Sequence, residues 1–204
     1  MRHQSPNVIR FIHALNKLSF WVATSILWYG STQQRSQVVE KFIEIAIHLV
    51  KLGNFNSLMG IIGGLNLGFI SRLKLTFFGV PEKARKELKH FNETLMVPRQ
   101  SWKEYRVALA NQPLPRLPYL GVHLSDLTFI EDGNPSKING FVNFDKQLMI
   151  YKVLEQILIC QQQAFAFPQS EPLRTFYSEL PSLTEEELWI LSEMREPRIV
   201  SGAE

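Results

Sequence analysis

The chain has 204 residues, 45% hydrophobic and 20% charged, which is enough apolar material for one well-formed core and excludes an intrinsically disordered segment. One cysteine, Cys160, excludes an intrachain disulfide framework and a CxxC metal site. No run of eighteen apolar residues can cross a membrane, and the N-terminus has no apolar signal core, so a reducing, cytoplasmic setting is expected.

The net charge of +3 is unevenly spread. Residues 1–90 carry twelve Lys/Arg against four Asp/Glu, and residues 171–196 carry seven Glu against two Arg. A basic first half suits an acidic partner or an anionic membrane. The charges are scattered rather than clustered, which favours ordinary solvated helix faces.

Ser5-Pro6 is a helix start, with Ser at the cap and Pro in the first turn. The helix is predicted to reach about Tyr29, with Val8, Phe11, Ile12, Leu15, Leu18, Val22 and Ile26 as its apolar stripe. Gly30-Ser31-Thr32 ends it. A second helix is expected over about Gln33 to Leu52, with Val38, Phe42, Ile45, Ala46 and Leu49 inward. A third, about Phe55 to Leu65, is nearly all apolar and should be the central buried helix. Its Gly60, Gly63 and Gly64 weaken a helix but suit the close approach of another backbone.

A short helical turn around Ile70–Thr76 follows, then a more polar helix from Pro81 to about Leu95, and another from Gln100 to Ala110. Pro113, Pro115 and Pro118 form a stiff connector. Leu120, Leu124, Leu127 and Ile130 then fall on one helical face, and Gly133-Asn134-Pro135 stops that helix. After a polar loop with Gly140, a helix from about Asn143 shows a broad apolar face of Leu148, Tyr151, Val153, Leu154, Ile157 and Leu158. The two make an αα-hairpin. Two shorter helices are expected at Pro172–Glu179 and Thr184–Arg195, and Glu196–Glu204 reads as a frayed tail. No strong alternating strand run appears. The expected fold is all-α, a single-domain orthogonal helical bundle of nine or ten helices with a protruding αα-hairpin, the domain covering residues 1–198 and residues 199–204 trailing as a tail.

Enzyme chemistry finds no purchase in these residues. The histidines His3, His13, His48, His90 and His123 lack metal-ligand spacing, and no nucleophile elbow is present. Cys160, on a helix face, is expected as a small buried hydrophobe. Glu131 and Asp132 are adjacent, so they point in different directions and make a poor acid/base pair. As carboxylates at a helix C-terminus they also oppose its dipole. Phosphate, metal and nucleic-acid motifs are not found, and no cofactor is expected.

Six blocks carry a resemblance. They are NKLSFWVATSIL (Asn16–Leu27), GNFNSLMGIIGGLN (Gly53–Asn66), SRLKLTF (Ser71–Phe77), YRVAL (Tyr105–Leu109), the hairpin PYLGVHLSDLTFIEDGNP with VNFDK, and LSEMREPR (Leu191–Arg198). In these residues and this order the chain resembles the catalytic domain of Ras-family guanine-nucleotide exchange factors, the Son-of-sevenless type. The resemblance implies a regulatory catalyst without covalent chemistry. Such a domain binds a small GTPase of the Ras, Rap or Ral type, moves switch 1 with the hairpin and grips switch 2.

Carried over by residue, the resemblance implies a switch-2 pocket of Trp21, Met59, Leu65, Asn66, Trp102 and Tyr119, with Arg35 and Arg198 at its polar rim. On the hairpin it implies Thr128 as the group that shields the Mg²⁺ position and Asp132 as the carboxylate that enters the phosphate-binding loop, with Ser125 and Asp126 on the same helix. Many members of that family have Glu where this chain has Asp132, and some are basic where it has Met149, which points to a different GTPase preference. The family's domains usually begin some tens of residues earlier and carry a companion N-terminal helical module, so the chain is expected to be a short form or a fragment. Membrane contact is expected only through the GTPase. The alternative is a degenerate exchange domain, or a helical adaptor, that binds a GTPase or another partner without catalysing exchange.

Overall fold

The computed structural model describes residues 5–198. Among them are eleven α-helices and one two-stranded antiparallel ribbon, an all-α architecture. Three helices form the centre: α1 (Pro6–Leu27), α2 (Thr32–Lys51) and α3 (Phe55–Asn66). α3 begins at Asn54, whose side chain accepts the Ser57 N–H at 3.0 Å as an N-cap. It is buried along most of its length, including Phe55, Leu58, Met59, Ile61, Ile62 and Leu65.

A close approach is found at two of the three glycines, to backbone at Gly64 and to a side chain at Gly60. A Cβ on Gly64 would lie 2.7 Å from the Ser19 carbonyl oxygen of α1, and one on Gly60 would lie 2.7 Å from Leu18. Gly63 has ordinary room, its nearest neighbour being Ser19 Oγ at 3.5 Å. Ser19 Oγ also donates to Gly60 O at 2.8 Å, so α1 and α3 are joined by a polar bond as well as by contact.

Short helices α4 (Gly68–Ser71) and α5 (Lys74–Phe78) lead to α6 (Glu82–His90). The single helix expected up to Leu95 gives way at Phe91–Leu95 to a π-helical turn, which lets both Phe91 and Leu95 enter the core. α7 (Lys103–Asn111) begins later than expected, because Ser101 (φ 53°) and Trp102 (φ 57°) are both left-handed. The hairpin is α8 (Leu120–Gly133) and α9 (Phe144–Cys160). Between them lie β1 (Lys137–Ile138) and β2 (Phe141–Val142), which the sequence did not announce. Asn139 (φ 53°) and Gly140 (φ 84°) make the turn between them, a pair suited to positive φ. α10 (Glu171–Ser178) and α11 (Glu185–Arg195) close the order, α11 with a complete Thr184/Glu187 capping box.

Three expectations are corrected here. The apolar face of α9 is not a core face: Leu148, Tyr151, Leu154 and Leu158 are exposed, and only Lys146, Val153 and Cys160 are buried on that helix. Ile12, expected inward, is exposed on α1. Glu196, expected in a frayed tail, is 8% exposed and bonded on several sides. The rest of that tail, residues 199–204, lies outside the described residues. No helix among the described residues is long and apolar enough to cross a membrane.

Candidate functional site

α8 and α9 project as a pair whose main packing is with each other. On α8 the stripe Leu120, Leu124, Leu127 and Ile130 occupies one side. Ser125, Thr128 and Asp132, spaced i, i+3 and i+7, share the other, and all three are exposed. Thr128 Oγ1 donates to Leu124 O at 3.0 Å within its own helix, which leaves its methyl group for contact. Among the described residues Asp132 has no side-chain hydrogen bond or ion pair. Phe129 lies on the same face between Ser125 and Asp132 and is 73% exposed. Sequence reasoning missed it. The signal was available: Phe129 is the large apolar residue of α8 that departs from the Leu/Ile stripe.

The two adjacent carboxylates have different surroundings. Lys146 Nζ of α9, whose side chain is 2% exposed, pairs with Glu131 Oε1 at 3.0 Å. It also donates to Glu131 O at 3.3 Å and Ser136 Oγ at 3.0 Å. A buried ammonium at a helix C-terminus satisfies its carbonyls and opposes the negative end of its dipole. Asn143 completes the clamp: its side chain accepts Lys146 N–H at 3.2 Å and donates to Pro135 O at 2.9 Å. Glu131 is therefore engaged, and Asp132 is the free carboxylate at the end of α8.

Asp126 stands on a third side of α8. Its Oδ1 accepts from Arg106 Nη2 at 2.8 Å, which ties the hairpin to α7. His123, three residues earlier, is 1% exposed, and its two ring nitrogens have no hydrogen-bond partner among the described residues. Burial lowers its pKa, with Asp126 opposing that shift.

The expected pocket residues divide. Trp102 and Tyr119 come together, ring centroids 5.7 Å apart, with Tyr105 beneath them at 6.3 Å from Trp102. Tyr105 is fully buried; its hydroxyl accepts Tyr119 N–H at 2.8 Å and its ring packs edge-on beside Phe55. Burial raises the pKa of both tyrosines. Asn66 is exposed at the end of α3, bonded to Asn92 at 2.7 Å. Arg198 is exposed, lying over the Trp189 ring at 5.9 Å and pairing with Glu193 at 3.2 Å. Met149 is exposed on α9.

The remaining members differ in burial and in the side of α3 they occupy. Met59 and Leu65 are core residues, 4% and 1% exposed. Trp21 packs edge-on against Phe42 and Phe176 and lines a groove with Ser57 and Ile61, roughly the opposite side of α3 from Met59 and Asn66. Arg35 cannot stand on a rim, because it is fully buried and its donors are used inside the fold. Nε donates to Thr76 Oγ1 at 2.9 Å, Nη1 to Gly30 O at 2.7 Å and Nη2 to Thr32 Oγ1 at 3.1 Å. Glu196 Oε1 lies 3.5 Å from Nη2. Glu196 also accepts the N–H groups of Leu75 at 3.0 Å and Thr76 at 2.8 Å, and the Thr76 hydroxyl at 2.7 Å. Burial raises the Glu196 pKa, but these bonds and Arg35 outweigh it and the net shift is downward. Among the described residues no group of three or more His, Cys, Asp or Glu is placed to hold a metal.

Comparison with known proteins identifies the family. A family model described as the RasGEF domain matches residues 1–148. Ras guanine nucleotide exchange factor R of Dictyostelium discoideum is 47% identical over 201 residues, covering 97% of this chain and 11% of that protein. Exchange factors J and I of the same organism are 38% and 39% identical, each over 97% of this chain and 24% of the relative. The chain thus spans between about a tenth and a quarter of the length of these relatives.

Proposed function

Because the chain belongs to the RasGEF domain family, we propose that it promotes nucleotide release from a small GTPase of the Ras, Rap or Ral type. The observation that carries this reading is the free face of the projecting helix α8. There Ser125, Thr128, Phe129 and Asp132 are exposed together while the neighbouring Glu131 is held by Lys146.

In this reading α8 enters beside switch 1. The Thr128 methyl and the Phe129 ring occupy the space of the GTPase's Mg²⁺ ion. Asp132 accepts hydrogen bonds in the phosphate-binding loop in place of phosphate. Trp102 and Tyr119 offer switch 2 an aromatic surface, with Asn66 and Arg198 as polar contacts. No bond is made or broken. The domain prefers the nucleotide-free state of the GTPase, and that differential affinity speeds release of either nucleotide. Met149 on α9 would bias the choice among GTPases, and membrane association would come through the GTPase.

The test is release of a fluorescent GDP analogue from Ras, Rap and Ral proteins, with and without this chain. Acceleration on one of them supports the reading and names the substrate. No acceleration on any, with the helical signal intact, overturns it and favours a domain that binds without catalysing exchange.

A further inference from the structure

The hairpin joins the body through a buried root, where Val122 and His123 are each 1% exposed, and through very few polar contacts. A groove of ≈ 610 Å³, lined by Val8, Phe11, Leu124, Leu127 and Ile157 among others, separates its root from α1. Among the described residues, one side-chain hydrogen bond joins residues 120–160 to the rest of the chain, from Arg106 Nη2 to Asp126 Oδ1 at 2.8 Å. The same guanidinium donates from Nε to Ser101 O at 2.9 Å. Ser101 and Trp102 are consecutive left-handed residues with a Cβ, a conformation that persists only where neighbouring groups hold it. Their turn displays the Trp102 ring against Tyr119. One planar group thus holds the aromatic surface with one edge and the hairpin with another.

We propose that Arg106 is a positioning residue, a strut that sets the angle of the hairpin relative to the Trp102–Tyr119 surface. This rests on the exchange-factor reading, since the angle matters only if the two surfaces engage one GTPase together. Arg suits the task and Lys does not: a guanidinium presents several N–H groups in a fixed plane, and an ammonium is a single point charge. The pair is only partly exposed, 35% for Arg106 and 26% for Asp126, so water and salt screen it less than a pair at the rim. With no other side-chain hydrogen bond to the body among the described residues, its loss leaves the angle of α8 and α9 to apolar contact at the root around Val122.

Two measurements decide this. Spin labels at the exposed positions Lys86 and Lys137, introduced as Lys86→Cys and Lys137→Cys in a Cys160→Ser background, report the hairpin angle as a distance distribution. The expected result is a narrow distribution in the parent and a broad one in Arg106→Met and in Asp126→Asn. In the GDP-release assay each single variant should lose maximal rate by on the order of tenfold, since a displacement of about 1 Å at a reacting surface has effects of this size or larger. The double variant should be no slower than either single one, because both remove the same contact.

An unchanged distance distribution, or losses that multiply in the double variant, would overturn the proposal. Asp126→Asn keeps the shape of its side chain and decides the matter should Arg106→Met fail to fold. If the parent chain accelerates no GTPase, the exchange reading falls, and the distance measurement alone judges the strut.

Discussion

Lys146 on the second hairpin helix and Glu131 on the first form an ion pair of 3.0 Å in which the ammonium is buried and the carboxylate is not. The pair staples the C-terminal turn of α8 and removes Glu131 as a substitute for Asp132. Replacing Lys146 by Met should therefore loosen the loop more than the domain. Because Glu131 is well exposed, the loss is about 1 kcal/mol after solvent screening. Hydrogen–deuterium exchange should show faster exchange of amides in Glu131–Asn143, with α1–α3 unchanged.

Asp132 is where activity should be most sensitive. Asp132→Ala should lower GDP release by roughly 10- to 100-fold, the rate equivalent of the about 1.5–3 kcal/mol that a hydrogen bond to a charged group contributes. As an exposed residue it should shift stability by no more than about 0.5 kcal/mol. Asp132→Glu adds one methylene of reach and should restore or raise the rate. Equal rates for the parent chain and the Asp132→Ala variant would remove this carboxylate from the mechanism.

Phe129 should behave as a contact residue. An exposed aromatic next to Thr128 contributes nothing to the core, so Phe129→Ala should leave the melting temperature near that of the parent. Its affinity for nucleotide-free GTPase, measured by biolayer interferometry, should fall by about 1–2 kcal/mol, as for an aromatic interface anchor.

Glu196 should control acid stability. Its carboxyl titrates below the ordinary glutamate value of 4.5 in the folded chain, so its contribution is complete above that pH and is lost as pH falls through the lower folded value. Glu196→Gln should flatten that acid-side decline in a denaturant titration. Glu196→Ala leaves the fully buried Arg35 charge without its partner and should cost about 3 kcal/mol, a melting shift of roughly 6–12 °C.

The glycines of α3 give opposite signs one residue apart. Gly64→Ala drives a methyl group against the Ser19 carbonyl and should destabilise by about 1–3 kcal/mol. Gly63→Ala has room and should stabilise by up to about 0.8 kcal/mol through helix propensity. Urea unfolding of the two variants checks both.

How far the sequence carried depended on what each residue packs against. α1, α2 and α3 were legible because each shows an unbroken apolar stripe and a clear stop. The start of α7 was not, because two left-handed residues without glycine leave no compositional mark. α9 misled for a physical reason: an apolar face reveals a surface that avoids water without saying whether anything covers it. Lys146 was unreadable as a buried residue, since only the fold brings Glu131 and Ser136 to its ammonium. In the candidate site, α8 was legible as a helix from spacing, whereas the roles of Thr128 and Asp132 and the pocket of Arg35, Met59, Leu65 and Trp21 came through resemblance, and spacing could not show that Arg35, Met59 and Leu65 are buried.

The partnership of Arg35 and Glu196 sets a schedule for the nascent chain. The two residues lie 161 positions apart. At ordinary synthesis rates of about 5–20 residues per second, roughly 10–30 s separate the emergence of α2 from that of its buried counter-charge. During that interval the guanidinium has only neutral oxygens around it, those of Gly30, Thr32 and Thr76. The domain therefore stays open to proteases and holding chaperones until Glu196 has been made. Glu196, although far from the hairpin, is the residue whose arrival ends that window.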